Sequence, residues 1–335
     1  MIVSVDLGYG YVKSMSETYY SVIYPSLIAQ GRSREMENIF GADDSNIESL
    51  HVEVGGEEFF VGELARRSGN ATFTLDSEKI SHRNTKVLLV TALGLLLPPG
   101  QESVYLATGL PYAEYSHQKE SFINNFLGFK TEINFKGGPK KGFVQRIKIT
   151  DILVFPQAAG AIYADMDKNY IFELANTNKL LSVVDVGYKT TDVVTFEAEK
   201  KFRLRQDMSG TIDAGAGDIE KRVNSAFTEK TGRRLDPALT SKLIKENGVF
   251  FRGKHIDLKN EIDVAKREIA QRIIDNVRLI WNDRADFIDN VLLAGGGSIL
   301  LNDELKKIHY MTDSVFDEQF ANCKGFLEVA KRKRK

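Results

Sequence analysis

Short apolar runs ending in glycine turns, and longer stretches of helical period, divide this chain into alternating strands and helices. Residues 2–7 and 11–15 form two such runs around Gly8 and Gly10, which predicts a β-hairpin whose glycines supply turn positions that tolerate positive φ. A third strand is predicted over Tyr20–Tyr24, ending at Pro25, and another over Glu57–Val61, ending at Gly62. Helical patterning follows from about Asn84 to Leu97, then a strand at Val104–Ala107, a turn at Gly109-Leu110-Pro111, and an amphipathic helix from about Ala113 to Leu127. Residues 131–155 read as strands, among them Ile147-Lys148-Ile149 and Ile152-Leu153-Val154. Pro156 then stops the sheet and opens a small-residue helix, Gln157–Ala161.

The second half reopens as the first did, with a strand, a glycine turn and a strand over Val183–Phe196. A long helix from about Glu261 to Asn282 follows, and then a strand at Val291–Leu293, a glycine turn and a helix from Ser298 to Lys307. Strands followed by helices in both halves predict α/β domains with mixed sheets. The one internal repeat is the pentapeptide Val-Asp-x-Gly-Tyr, at Val5–Tyr9 and again at Val184–Tyr188.

Bulk composition adds limits rather than chemistry. At 335 residues the chain accommodates two domains, and 42% hydrophobic with 27% charged residues is an ordinary globular composition. A net charge of −1 gives no whole-molecule field for nucleic acid or an anionic membrane. Cys323 is the single cysteine, so no internal disulfide forms and a reducing compartment is expected. The opening Ile2-Val3-Ser4-Val5 has no basic segment followed by an apolar stretch, so no secretory signal is expected. Val87–Leu97, the most apolar stretch, is too short to span a bilayer and reads as a buried helix. A soluble, cytoplasmic protein is the expectation.

Each Asp-x-Gly turn exposes consecutive backbone N–H groups of the kind that attract phosphate oxygens, although such a turn alone is most often only a turn. An Asp at the strand end beside it suits magnesium held through water, because that ion keeps several waters and takes few protein ligands. Lys13 lies seven residues after Asp6, placed to turn back onto phosphates, and Asp192 lies seven after Asp185 beside Thr190 and Thr191. Ala294-Gly295-Gly296-Gly297-Ser298 follows a strand and precedes a helix, which permits close backbone approach to a ligand, with Ser298 as a candidate N-cap. No Gly-Lys-Ser/Thr follows, so it is not a Walker motif. Gln157 carries an amide able to orient a water, and Gly215-Ala216-Gly217-Asp218 is a further turn opening a helix. For each, the plain alternative is structural: a strand lysine, an ordinary connector, a solvent-facing glutamine, a helix cap.

Taken together, the motifs resemble those of the actin, heat-shock chaperone and sugar-kinase superfamily, over essentially the full chain. Asp6-Leu7-Gly8-Tyr9-Gly10-Tyr11-Val12-Lys13 resembles its first phosphate loop and Asp185–Asp192 its second. Ala294–Ser298 resembles its adenosine loop, and Phe155-Pro156-Gln157-Ala158 its connecting segment. Thr108-Gly109-Leu110-Pro111 and Val61-Gly62-Glu63-Leu64-Ala65 are similar to the ParM-like group of plasmid-segregation and archaeal actin-like proteins. The resemblance implies an actin-like fold of two similar domains, each a mixed sheet flanked by helices, with a nucleotide cleft between them. Domain I is then 1–155 with 318–335, and domain II is 156–317.

It further implies ATP or GTP with Mg2+, and a filament-forming hydrolase acting in plasmid segregation or as a prokaryotic cytoskeletal filament. Gln157, Asp185 and Asp6 become the catalytic candidates, the two aspartates holding the metal through water. The nucleotide contacts become Gly8, Tyr9, Gly10, Lys13, Gly187, Tyr188, Lys189, Thr190, Gly217, Asp218, Gly295, Gly296, Gly297 and Ser298. The expected partners are further copies of the chain and a DNA-binding adaptor protein, with no membrane contact. The Lys331–Lys335 run reads as a solvated helix end rather than a direct nucleic-acid contact. Bulky Tyr9 and Tyr188 stand where many superfamily members have small residues, Lys189 lies inside the second loop, and the part played by Asp192 is open. Two other functional classes compete: a small-molecule kinase of the sugar type on the same fold, and a nucleotide-binding scaffold without turnover.

Overall fold

The computed structural model describes residues 1–33, 43–69, 71–73, 83–165, 177–199, 202–315 and 317–334, so Lys335 of the basic run lies outside the described residues. The chain divides into two units, Met1–Ala164 with Asn322–Lys335, and Asp165–Ala321.

In the first unit, Ile2–Leu7 pairs antiparallel with Tyr11–Ser16 on one side and parallel with Ser103–Leu110 on the other. These strands belong to a sheet of ten. Every residue of Ile2–Leu7 is buried, as expected of a strand covered on both faces. Helix Arg83–Leu96 is buried along nearly its whole length, which accounts for its apolar character on all sides. Where two separate strands are predicted near residues 147 and 153, one 13-residue strand runs from Val144 to Pro156. Its register shifts between Ile149 and Asp151, and that irregularity breaks the alternation into two pieces.

In the second unit, Leu180–Val186 pairs antiparallel with Thr191–Ala198 and parallel with Ile288–Ala294, within a sheet of six. Helices Ala216–Thr231 and Lys259–Trp281 supply Ile219, Phe227, Ile273 and Trp281 to the core beneath it. The element sequence at the heart of both units is therefore the same: strand, tight turn, antiparallel strand, with a later parallel strand on the far side.

Three local expectations are corrected. Neither Gly8 nor Gly10 is among the residues of positive φ, so the first turn does not need glycine for its dihedral angles. Gln157 precedes the helix instead of opening it: the strand runs through Pro156, and helix Ala159–Asp165 begins after Ala158, held at φ 64°. Ser298 is not an N-cap; Gly295 takes that position, and Ser298 lies inside helix Gly296–Leu305 with its hydroxyl donating to the Gly295 carbonyl at 2.7 Å.

The C-terminal helix, Ala321–Arg334, packs on the first unit. Gly325 meets Gly160 so closely that a Cβ on Gly325 would stand 1.8 Å from the Gly160 carbonyl oxygen, and the Phe326 ring covers Gly109 and Gly160. Its basic end is not simply solvated: Lys331 Nζ lies 3.9 Å from the Tyr19 ring centroid, and Arg334 stands 3.9 Å from Glu17. Among the described residues, no helix is long and apolar enough to cross a membrane.

Candidate functional site

The first turn is built around a buried carboxylate. Register pairs Asp6 with Lys13 directly across the hairpin, and Lys13 Nζ stands 3.6 Å from Asp6 Oδ2. The other carboxylate oxygen accepts the Gln157 side-chain amide at 2.8 Å. Asp6, Lys13 and Gln157, far apart in sequence, thus form one cluster. The Gln157 main-chain N–H donates to the Leu110 carbonyl at 2.7 Å, which fixes the residue beside the sheet. Gly8 is required by space: a Cβ there would stand 2.6 Å from the Tyr11 carbonyl oxygen.

The second turn repeats this register with different chemistry. Asp185 faces Asp192, the position equivalent to Lys13, and both are buried. Two carboxylates directly opposed across a ladder repel unless something lies between or beside them; Asp192 Oδ1 accepts the Thr211 hydroxyl at 2.6 Å. Gly187 again makes way for a carbonyl, that of Thr190, 2.9 Å from where its Cβ would be. Two buried carboxylates with a threonine hydroxyl beside them are hard oxygen donors of the kind a magnesium ion takes. Among the described residues no group of three or more His, Cys, Asp or Glu side chains is placed to hold a metal ion.

Each turn directs its carbonyls into the protein. The Gly8 carbonyl accepts the Ser26 hydroxyl at 2.6 Å and the Gly10 carbonyl accepts the Ser26 N–H at 2.9 Å. In the second turn the Gly187 and Tyr188 carbonyls accept the N–H groups of Ala216 and Gly217 at 3.0 and 2.8 Å. In a trans peptide the N–H opposes its carbonyl, so the N–H groups of Tyr188 and Lys189 point away from that helix as a consecutive pair. Gly217 and Asp218 therefore support the turn from behind: a Cβ on Gly217 would stand 2.9 Å from the Tyr188 ring, and Asp218 Oδ2 accepts the Gly215 N–H at 3.4 Å.

The three glycines of the 294–298 segment differ in their surroundings. A Cβ on Gly295 would stand 2.2 Å from Asp185 Oδ1, and one on Gly297 would stand 2.6 Å from Val186 Cγ1. Both press on the second turn's own strand. Gly296 has open space, its nearest neighbour being Gln319 Nε2 at 3.9 Å. Of the three, it is the one with room beside it for a ligand.

Sequence reasoning missed Ser26, Asn322, Glu114 and Glu220. Asn322 Oδ1 accepts the Ala158 N–H at 3.1 Å, holding the residue of positive φ next to Gln157. The glutamates receive the two repeated tyrosines. Tyr9 donates to Glu114 Oε1 at 3.2 Å, and Tyr188 to Glu220 Oε2 at 2.7 Å. A cavity of about 30 Å³ lies beside Tyr9, Glu114 and Gln157. Of these four residues only Ser26 carried a signal, standing next to the proline that ends a strand.

Two units with the same strand–turn–strand core define the actin-like class. Comparison with known proteins agrees. The family described as actin like proteins N terminal domain matches residues 4–160, and that of the archaeal actin homologue MreB-like, C-terminal, matches residues 183–307. An archaeal actin homolog of Thermoplasma acidophilum is 25% identical, aligned over 99% of each chain. A 15-stranded ParM filament from Clostridium botulinum has a subunit 33% identical, covered over 99% of both chains, with a TM-score of 0.90. An archaeal actin homolog in complex with ADP, 21% identical with a TM-score of 0.80, shares the fold. The chain belongs to the ParM-like family of actin-like proteins.

Proposed function

We propose that this chain is a filament-forming nucleoside triphosphate hydrolase whose assembly depends on bound nucleotide. The observation that carries the reading is the repeated turn: Asp6 and Asp185, both buried, stand at the same position of their strands, each next to a turn whose carbonyls are bonded into the protein. The N–H groups of the two turns bind the phosphates, with Lys13 as a point charge. Asp185, and Asp6 through water, hold magnesium, which when bound neutralises the charge that develops on the phosphate oxygens. Gln157 donates its amide N–H to Asp6, leaving its oxygen to accept a hydrogen bond from the attacking water and orient it. Gly296 approaches the base and ribose.

Support for assembly comes from the 33% identical Clostridium botulinum relative, whose solved form is a filament, and support for nucleotide from the archaeal homolog solved with ADP. On this reading the chain works in plasmid segregation or as a cytoskeletal filament, reaching DNA through an adaptor protein. The kinase alternative would need a carboxylate open to an acceptor hydroxyl; Asp192, whose part the sequence leaves open, is buried and holds Thr211.

Right-angle light scattering with phosphate release tests the proposal. Scattering should rise on adding Mg-ATP or Mg-GTP and decay as phosphate appears, and Asp185→Ala should abolish turnover. Nucleotide binding with no rise in scattering at any protein concentration would overturn assembly. Unchanged turnover in Asp185→Ala would remove that residue from the mechanism.

A further inference from the structure

The tyrosine that recurs in the two turns makes the same kind of contact in both copies. Tyr9 reaches Glu114 on helix Tyr112–Phe126, and Tyr188 reaches Glu220 on helix Ala216–Thr231. The two glutamates lie 105 and 32 residues from their tyrosines, on helices at different places in their units' chain order. A shared turn sequence alone would not generate both contacts.

We infer that Tyr9 and Tyr188 are positioning residues, each tying its turn to a helix so that the turn's N–H groups are set for phosphate before nucleotide arrives. This rests on the nucleotide-binding reading above. A turn left to fluctuate must be ordered at the moment of binding, and that ordering subtracts from affinity. A phenol donating to a carboxylate is among the stronger side-chain hydrogen bonds. At 2.7 Å the Tyr188 contact has the usual O–H···O length, whereas the Tyr9 contact at 3.2 Å is long.

The second tie has further support. The Tyr188 ring lies against Gly217, whose own N–H bonds the Tyr188 carbonyl, so side chain and backbone hold the same residue. The other oxygen of Glu220 accepts the Ser241 hydroxyl at 2.9 Å, on helix Pro237–Glu246. Glu220 thereby joins the second turn to two helices, and a change in those helices reaches the turn through one carboxylate.

The test uses the full-length chain and Tyr→Phe variants, which keep the ring and delete only the hydroxyl. Amide hydrogen exchange without nucleotide is the first arm: residues 186–191 should exchange faster in Tyr188→Phe, with no matching change in the core strands. Titration with a fluorescent ATP analogue and magnesium is the second. Tyr188→Phe should weaken binding about tenfold and Tyr9→Phe about threefold, with turnover at saturation little changed. Glu220→Gln keeps an acceptor and should bind nearly as the parent does. Glu220→Ala should match Tyr188→Phe, and the double variant should be no worse than either.

Unchanged exchange and affinity within twofold in Tyr188→Phe overturns the inference while the nucleotide reading stands. Parent protein that binds no nucleotide, combined with faster exchange in the variant, overturns that reading and leaves only the tie. Should Tyr188→Phe fail to fold, the Glu220 pair decides: equal binding by Glu220→Gln and Glu220→Ala refutes the role.

Discussion

Gly295 shows how much a single position can carry. Its φ of 85° and ψ of 156° fall in a region only glycine occupies comfortably, and a Cβ would collide with the Asp185 carboxylate. Gly295→Ala is therefore expected to cost about 1–3 kcal/mol in backbone strain alone, and to displace Asp185. A lowered denaturant midpoint together with lost turnover checks this. Loss of turnover with an unchanged midpoint would show that the carboxylate yields without strain. Cys323 is the opposite case, a reactive residue type made inert: burial, with Asp6 nearby, pushes its thiol well above the usual range, and its Sγ donates to the Lys13 carbonyl at 3.1 Å.

Among the elements, the C-terminal helix is the one whose seat depends most on small residues. Gly325 and Gly160 meet with no room for a methyl group, and Phe326 fills the space over Gly109 beside Gln157. Gly325→Ala should therefore loosen helix Ala321–Arg334 from its unit and disturb Asn322, which holds the backbone next to Gln157. Limited proteolysis should cut the variant in that helix at protease levels the parent resists. Equal resistance would mean the helix shifts to admit the methyl at little cost.

For the whole molecule, filament growth by head-to-tail contact calls for two unlike patches on each copy. Within the second unit, Phe250 stands 77% exposed on the hairpin Gly248–Asp257, which leads into the start of helix Lys259–Trp281. At the other end of that helix, about 34 Å away at 1.5 Å per residue, a recess of about 460 Å³ is lined by Arg278, Trp281, His309 and Tyr310. Phe250→Asp and Tyr310→Asp should each suppress nucleotide-dependent scattering while leaving nucleotide titration unchanged. Normal assembly by both variants would place the contacts elsewhere.

Much of the fold was legible in the chain itself, because it depends on local periodicity and turn chemistry. The two Asp-x-Gly turns, the buried helix near residue 90 and the long helix ending at Trp281 are set by spacing that neighbouring residues carry. The seven-residue offset from Asp6 to Lys13, and from Asp185 to Asp192, was visible in the chain, but that the members of each pair stand directly opposite across their hairpin is what the register decided. What only tertiary structure decided is which groups meet at long range. Glycine's purpose at 8, 187 and 297 is close approach rather than dihedral freedom; at 8 and 187 the carbonyl approached lies in the same turn, whereas Gly295 and Gly297 approach a strand distant in sequence. The placement of Gln157 on Asp6, and of Tyr9 and Tyr188 on their glutamates, likewise has no local signal. A side chain's partner is chosen by the path of the whole backbone, and periodicity records only which way that side chain faces.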